Sequence, residues 1–298
     1  MNGSEIMDIS VALGGGGAKG NSHIGVLRRL EKEGYHIRAV AGTSFGGIVG
    51  SLYAAGYTPA QIEELFHKVD QTKLYGRRPL EGPSLLGLGG VSQWLDEVLG
   101  ERTFDDLKLP FAVTAVDLKC GCEVILSEGL VRDAILSTIA LPGIFPPFML
   151  NDWELVDGGV LNPVPVSVAR SLAPNLPVVA VVLTAPIGQP ARTWGVPMPS
   201  IVPRMIVDRL SRMHVAQAMD IFMRSLDIGN RAMAEYRLAV DAPEVIVRPN
   251  VSKIDLLDRV DPCEVALLGE QALEAVLPDL KRAVSWSARL GRWIGAKA

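Results

Sequence analysis

Apolar residues first gather at positions 9–13, a short run of the kind buried in a covered strand. A glycine-rich stretch at 14–20 follows it. Residues 23–32 then bring Ile24, Leu27 and Leu30 near one side at helical spacing, which predicts an amphipathic helix. A second strand is expected over 36–41 and a small apolar helix over 47–55. The chain thus opens strand, glycine loop, helix, strand, turn, helix. Such a βαβα order argues for a parallel sheet with helices on its faces.

Further along, Thr58 and Pro59 suit the N-cap and first position of another helix. Residues 80–91, rich in Gly, Leu and Pro, read as a loop or flap. Two strands are predicted over 111–117 and 123–127, around a turn at Cys120-Gly121-Cys122. A helix over 130–139 ends in a proline-rich stretch at 141–147. A short strand at 153–156 runs into Asp157-Gly158-Gly159, and an apolar run at 178–183 reads as a covered strand. Beyond it come a proline-rich loop at 186–203 containing Trp194, a long helix over 204–236, a strand at 245–248 and a helix over 262–277. Pro278 is the expected stop of that last helix. No internal repeat is visible. The expected organisation is a core at 8–185 and a mainly helical portion at 186–298 packed on the same domain.

Composition narrows the classes. The 298 residues are 48% hydrophobic and 21% charged, enough apolar material for a sizeable globular core. A formal net charge of −4 gives no overall basic field to draw nucleic acid. Three cysteines, Cys120, Cys122 and Cys263, make no disulfide framework and suit a reducing compartment. Cys120 and Cys122 are read as small turn residues rather than metal ligands, since no further Cys/His cluster follows them in the sequence. Residues 1–10 lack a basic segment followed by an apolar one, and no apolar run approaches the roughly 20 residues of a membrane span. A cytoplasmic protein is expected. Peripheral membrane contact rests on residues 280–298, which carry five Lys or Arg and no acid. There Trp286, Leu290, Trp293 and Ile294 fall at the spacing of a basic amphipathic helix. The competing reading, a helix packed on the body with its basic face in solvent, is preferred because Gly291 and Gly295 weaken a free helix.

The candidate chemistry centres on Ser44. It sits in Gly42-Thr43-Ser44-Phe45-Gly46, a G-x-S-x-G pattern, between a predicted strand and a predicted helix. A serine on such a turn has its hydroxyl aimed clear of the backbone. One βα unit earlier, Gly15-Gly16-Gly17-Ala18-Lys19-Gly20 satisfies G-x-G-x-x-G. A dinucleotide site would want an acid at the end of the next strand, which ends instead in Ala41-Gly42-Thr43-Ser44. A phosphate-binding P-loop fails as well, because Lys19 is followed by glycine. The third use of such a loop is to present backbone N–H groups to a developing oxyanion at a helix N-terminus. None of the four histidines, His23, His36, His67 and His214, stands out as the base. His23 reads as a packing or hydrogen-bonding residue, and His214 falls in mid-helix. Asp157, at a strand end before two glycines, could take a serine proton directly. Taken alone, Asp-Gly-Gly is more often an ordinary turn.

In this order the three pieces resemble the patatin-like phospholipases. That family carries a G-G-G-x-[RK]-G loop, then G-x-S-x-G, then D-G-[AG]. The likeness extends to connecting segments of the family's bacterial branch, such as 23–27, 104–107, 114–118, 142–147 and 162–166, and covers roughly residues 8–185. It implies a three-layer α/β/α fold with a mainly parallel central sheet and a Ser–Asp dyad. Ser44 would be the nucleophile and Asp157 its base. The amides of Gly15, Gly16 and Gly17 would form the oxyanion hole, with the Ser44 N–H pointing into the same neighbourhood. Lys19, Gly20, Gly42, Gly46, Gly158 and Gly159 would shape the motifs, Lys19 by anchoring its loop. No metal or cofactor is implied. The expected activity is acyl hydrolysis of lipid carboxylic esters, phospholipase A-like or lysophospholipase-like. The alternatives are an esterase or thioesterase without lipid preference and a non-catalytic regulatory member of the fold. The segments 85–88 and 144–149 are candidates for an acyl groove or for ordinary core.

Overall fold

The computed structural model describes residues 7–76, 84–188, 206–288 and 292, without the side chains of 206–216 and 219. The opening is as the apolar pattern predicts: β1 (Asp8–Leu13), α1 (Ser22–Lys32), β2 (His36–Thr43) and α2 (Phe45–Ala54). The next helix, α3 (Pro59–Lys68), starts at a capping box in which Thr58 and Gln61 each satisfy the other's backbone N–H. After it come α4 (Gly89–Leu99), the hairpin β3 (Phe111–Asp117) and β4 (Cys122–Leu126), α5 (Val131–Thr138), β5 (Phe148–Leu150) and β6 (Trp153–Asp157). The chain closes with α6 (Val166–Leu172), β7 (Val178–Val181), α7 (Ile206–Asp241), β8 (Val245–Val247) and α8 (Pro262–Val284).

The strands form one sheet in the order β5-β6-β3-β2-β1-β7-β8, with β4 also on β3. Pairing is parallel from β3 through β2, β1 and β7 to β8, and antiparallel at the β4, β6 and β5 end. Alternation along the central strands divides the faces by side-chain size. Ile9, Val11 and Leu13 of β1, with Val40 and Val113, join the core built with α1, α2, α5 and α8. Ala12, Ala41, Ala112 and Ala180 face the opposite way, against Val166 and Ala169 of α6 and Ala234 and Leu238 of α7. Small residues on that face let the helices lie close to the strands. The result is a three-layer α/β/α fold on a mostly parallel sheet. Strand β8, drawn from the C-terminal portion, extends this sheet beyond β7, and α8 packs along α1.

Four expectations are corrected. Residues 89–91, expected in a loop, begin α4; Gly89 and Gly90 hide its start, while Val91, Leu95 and Val98 supply the buried helical stripe. Two short elements, β5 and α6, were not expected at all. Pro278 does not stop α8, which runs on to Val284. Proline removes one helical hydrogen bond there, yet Leu273, Leu280 and Val284 continue a single buried stripe across it. Cys120 and Cys122, expected as unlinked turn residues, are paired in a disulfide across their hairpin. Leu280 and Val284 are thus part of the packed body, whereas Trp286 is 73% exposed. Trp194 and most of the proline-rich segment lie outside the described residues, as do Leu290, Gly291, Trp293, Ile294 and Gly295. Among the described residues no helix is long and apolar enough to cross a membrane.

Candidate active site

Two strand ends converge from opposite directions. Ser44 is the residue between β2 and α2, with φ 53° and ψ −126°, a left-handed conformation strained for a non-glycine residue. Asp157 ends β6, antiparallel to β3 at Ala115. The structure sets the two side chains beside each other, close enough for the Ser44 hydroxyl to favour the ionised Asp157 carboxyl. Asp157 Oδ1 accepts the Gly159 N–H at 2.7 Å. The carboxyl is 4% exposed, and burial pushes it up to about 6 against the downward pull of the Ser44 hydroxyl and the Gly159 hydrogen bond. At neutral pH the group is therefore mostly ionised, yet basic enough to accept a proton.

Backbone crowding accounts for the motif glycines. A Cβ on Gly46 would lie 2.1 Å from the Leu13 carbonyl oxygen, on Gly42 2.6 Å from that of Gly46, and on Gly158 2.3 Å from that of Thr114. A Cβ on Gly20 would strike the Phe45 ring. Gly15 faces the Ser44 Cβ, while Gly16 lies against Leu183.

The three loop amides are not equivalent. Gly15 N–H donates to the Pro163 carbonyl at 3.0 Å, and Ala18 N–H to that of Leu256 at 2.8 Å. Among the described residues, the amides of Gly16 and Gly17 have no protein acceptor. The Ser44 N–H does not join them, because it donates to Thr138 Oγ1 at 2.9 Å. The two amides left open to an anion are thus those of Gly16 and Gly17, a smaller set than the sequence suggested.

Thr138 belongs to a buried threonine network that the motifs did not reveal. Its hydroxyl donates to the Thr114 carbonyl at 2.6 Å, and Thr43 Oγ1 donates to the Asn162 carbonyl at 2.8 Å. Thr43 has then spent its proton, so Thr114 is the donor in the 2.8 Å contact between their hydroxyls. The network ties β2, β3, α5 and the segment after β6 around the Ser44 turn. Its sequence signal was a threonine in each of β2, β3 and α5, at the end of β2 and of α5 and in the middle of β3.

The histidines are elsewhere. His23 is fully buried, and its Nε2–H donates to the Gly14 carbonyl at 2.8 Å. Burial pushes it down to about 4, so it is a neutral brace beneath the glycine loop. His36 and His67 are exposed, and the His214 side chain lies outside the described residues. Lys19 is half-buried at a cavity wall.

Two cavities open onto Ser44 and Asp157. The first, about 330 Å³, is lined by Phe45, Ile48, Phe66, Leu86, Trp94 and Phe145 among others. Leu88 lines it too, so parts of both segments held as groove candidates, 85–88 and 144–149, do so. The second, about 800 Å³, is also lined mostly by apolar atoms, but it is the more charged of the two, with Lys19, Asp227, Asn230, Arg231, Arg248 and Asn250 in its walls. Its α7 residues carried no recognisable motif. Within these walls Arg231 pairs with Asp227 and Arg248 with Glu235, at 2.5 and 2.7 Å.

Known proteins share this arrangement of sequence. An uncharacterized NTE family protein of Mycobacterium tuberculosis is 32% identical over 197 residues, covering 64% of this chain and 53% of that protein. Human patatin-like phospholipase domain-containing protein 6 is 29% identical over 171 residues, which is 55% of this chain and 12% of that much longer one. The chain thus spans about half, or far less, of these relatives. Among solved structures, VipD from Legionella pneumophila superposes with a TM-score of 0.56 at 14% identity, over 92% of this chain and 67% of that one, a likeness of fold. The sequence model of the patatin-like phospholipase family matches residues 11–170, more than half of the chain and the span that holds the glycine loop, Ser44 and Asp157. The chain belongs to the patatin-like phospholipase family.

Proposed function

We propose that this protein is a serine acyl hydrolase that cleaves lipid carboxylic esters through Ser44 and Asp157. Membership of a phospholipase family supports lipid-ester hydrolysis in general. The observation that carries the finer reading is the Ser44 hydroxyl set beside a buried carboxyl pushed up to about 6, where two cavities meet.

Ser44 Oγ attacks the ester carbonyl carbon while Asp157 takes its proton. The carbonyl oxygen becomes an oxyanion that accepts hydrogen bonds from the Gly16 and Gly17 amides, a donor of this kind contributing roughly 3–4 kcal/mol in the transition state. The intermediate collapses to an acyl-Ser44. Asp157 returns its proton to the departing alkoxide, which leaves as an alcohol through the larger cavity. Water then enters, gives a proton to Asp157 and attacks the acyl-enzyme; collapse frees the acid and restores the Ser44 hydroxyl. Desolvation in the closed turn keeps Asp157 a stronger base than a solvated carboxylate. No histidine is needed, since the base stands beside the nucleophile.

A fluorophosphonate probe tests the nucleophile and long-chain lipid esters test the class. Labelling and hydrolysis should both vanish in Ser44→Ala. Because the ionised carboxylate is the base, kcat/KM should rise with pH and reach half its plateau near the Asp157 value of about 6. Lack of labelling in the wild type, or a profile flat across that range, would overturn the dyad. Hydrolysis of short soluble esters without any long-chain activity would replace the lipid assignment with a small-ester esterase.

A further inference from the structure

Away from the two cavities' junction, side chains of three different donor types meet on the surface where α3 abuts α8. A ligand atom from each of His67, Asp261 and Cys263 lies within 4.8 Å of the others. His67 is in the last turn of α3, and Cys263 is in the first turn of α8. Asp261 caps α8, its Oδ1 accepting the Cys263 N–H at 2.9 Å, and its carboxylate also lies against the Cys263 thiol. A fourth group stands one turn before His67 on the same face of α3. Glu63 hydrogen-bonds the Cys263 thiol while pairing with Arg28, which also holds Glu270.

We infer that His67, Asp261 and Cys263, with Glu63 beside them, form a binding site for a divalent transition-metal ion, Zn²⁺ by ligand type. Imidazole nitrogen, thiolate sulphur and carboxylate oxygen are together the donor set of Zn²⁺, whereas Ca²⁺ and Mg²⁺ take oxygen ligands alone. Donors around a tetrahedral Zn²⁺ stand roughly 3.5 Å apart, given bond lengths of about 2.0–2.3 Å. The present spacing closes to that by side-chain rotation, which exposed groups make at little cost. A thiol beside two carboxylates gains a counter-charge only when a cation joins it. The ion would fasten α3 to α8, two helices joined here through side chains far apart in sequence. Phe66 and Val69 on one side, and Val260 and Pro262 on the other, line the apolar cavity. Metal binding would thus clamp two walls of that cavity without touching Ser44 or Asp157. The inference stands independently of acyl hydrolysis.

The test uses the full chain, stripped of metal and kept non-reducing so that Cys120 and Cys122 stay paired and Cys263 is the free thiol. Co²⁺ added to it should give a thiolate-to-metal absorption band that saturates at one equivalent, and Zn²⁺ should displace it. Cys263→Ser should abolish the band, and His67→Ala should weaken binding by at least about 100-fold, the upper range for losing even an outer partner of a ligand. On the unmutated protein, one equivalent of Zn²⁺ should slow alkylation of Cys263 by at least about tenfold, because a metal-bound thiolate is no longer free to react. Unchanged alkylation overturns the site, as does a band that never forms, that survives in Cys263→Ser, or that titrates with unchanged affinity in His67→Ala.

Discussion

The two cavities that meet at Ser44 share a floor and little else. Both reach Ser44, Asp157, Leu141 and Leu256. From there the smaller runs under α4 between aromatic and aliphatic side chains, with Phe66 stacked on Phe45 and tilted against Trp94. The larger runs along α7 and β8, where an apolar lining is interrupted by a cluster of amide, carboxylate and guanidinium groups. Apolar walls gain from dehydrating a hydrocarbon chain and offer nothing to a charge. The charged cluster in the larger cavity offers partners to a polar or charged group. On the proposed function, the charged cluster would favour the polar alcohol side of an ester and the aromatic-lined cavity its acyl chain, with the bond between them at Ser44.

Removing the shared floor has the largest effect. Ser44→Ala and Asp157→Asn should each lower kcat by about 10⁴-fold or more, with KM little changed, in steady-state assays on one long-chain ester. If Asp157→Asn kept more than a tenth of the activity, the base would have to be sought elsewhere. The apolar arm comes next. Leu86, half-buried in its wall, can be replaced by tryptophan to shorten it. Excluding four methylenes at about 0.8 kcal/mol each forfeits about 3 kcal/mol, or roughly 100-fold in kcat/KM for a long acyl chain. An acetyl ester of the same alcohol should change by less than about threefold. Equal losses on both would mean that this cavity does not hold the chain.

The floor also carries a stability effect of opposite sign to its catalytic one. Asp157 is raised from 3.8 to about 6 on folding, so the native state favours its protonated form. The stability linked to this group is fully present below pH 3.8 and is lost as pH rises through about 6. The ionised carboxylate then costs the fold about 3 kcal/mol at neutral pH. Asp157→Asn should remove that cost while keeping an acceptor for the Gly159 N–H and losing the charge in that bond, for a net gain of about 1–2 kcal/mol. Thermal melts at pH 7.5 should show the variant more stable, and the difference should disappear near pH 4. A variant less stable than wild type at pH 7.5 would mean that the hydrogen bonds outweigh the burial.

How much of this was legible in the sequence follows from range. The nucleophile turn, the glycine loop and the Asp-Gly-Gly end each lie within a few consecutive residues, and strict local packing fixes their letters, as the contacts behind Gly42, Gly46 and Gly158 show. The strand runs of β1, β2 and β3 were legible for the same reason. Whether the Gly15 amide is open was not, because its acceptor is Pro163, 148 positions along the chain. Thr138 is one of several polar residues of α5, and its contact with the Ser44 N–H is set only by tertiary folding. α8 passes Pro278 because packing on α1 outweighs a local preference to stop. The charged cluster of the larger cavity was least visible, since Asn230, Arg231 and Arg248 converge from a helix and the end of a strand that carry no motif.

The same region gives the smallest effect and the one that most sharpens the contrast between the arms. Arg248 follows β8, lines the larger cavity and pairs through one Nη with Glu235 at 2.7 Å, while its other Nη is buried without a protein partner among the described residues. A cation in that position has hydrogen-bonding capacity to give to an anionic or polar leaving group, a charged interaction of about 1.5 kcal/mol. Arg248→Met keeps the length and the apolar stem of the side chain and removes the charge. It should lower kcat/KM for a phospholipid by about tenfold, in line with that energy. A p-nitrophenyl ester of the same acyl chain should be unaffected, because its leaving group presents no phosphate to the charged cluster. The ratio of the two substrates, measured on one enzyme preparation, cancels any change in the amount of active protein. A ratio that does not move would place the leaving group outside the larger cavity, and the two arms would then differ in lining without differing in use.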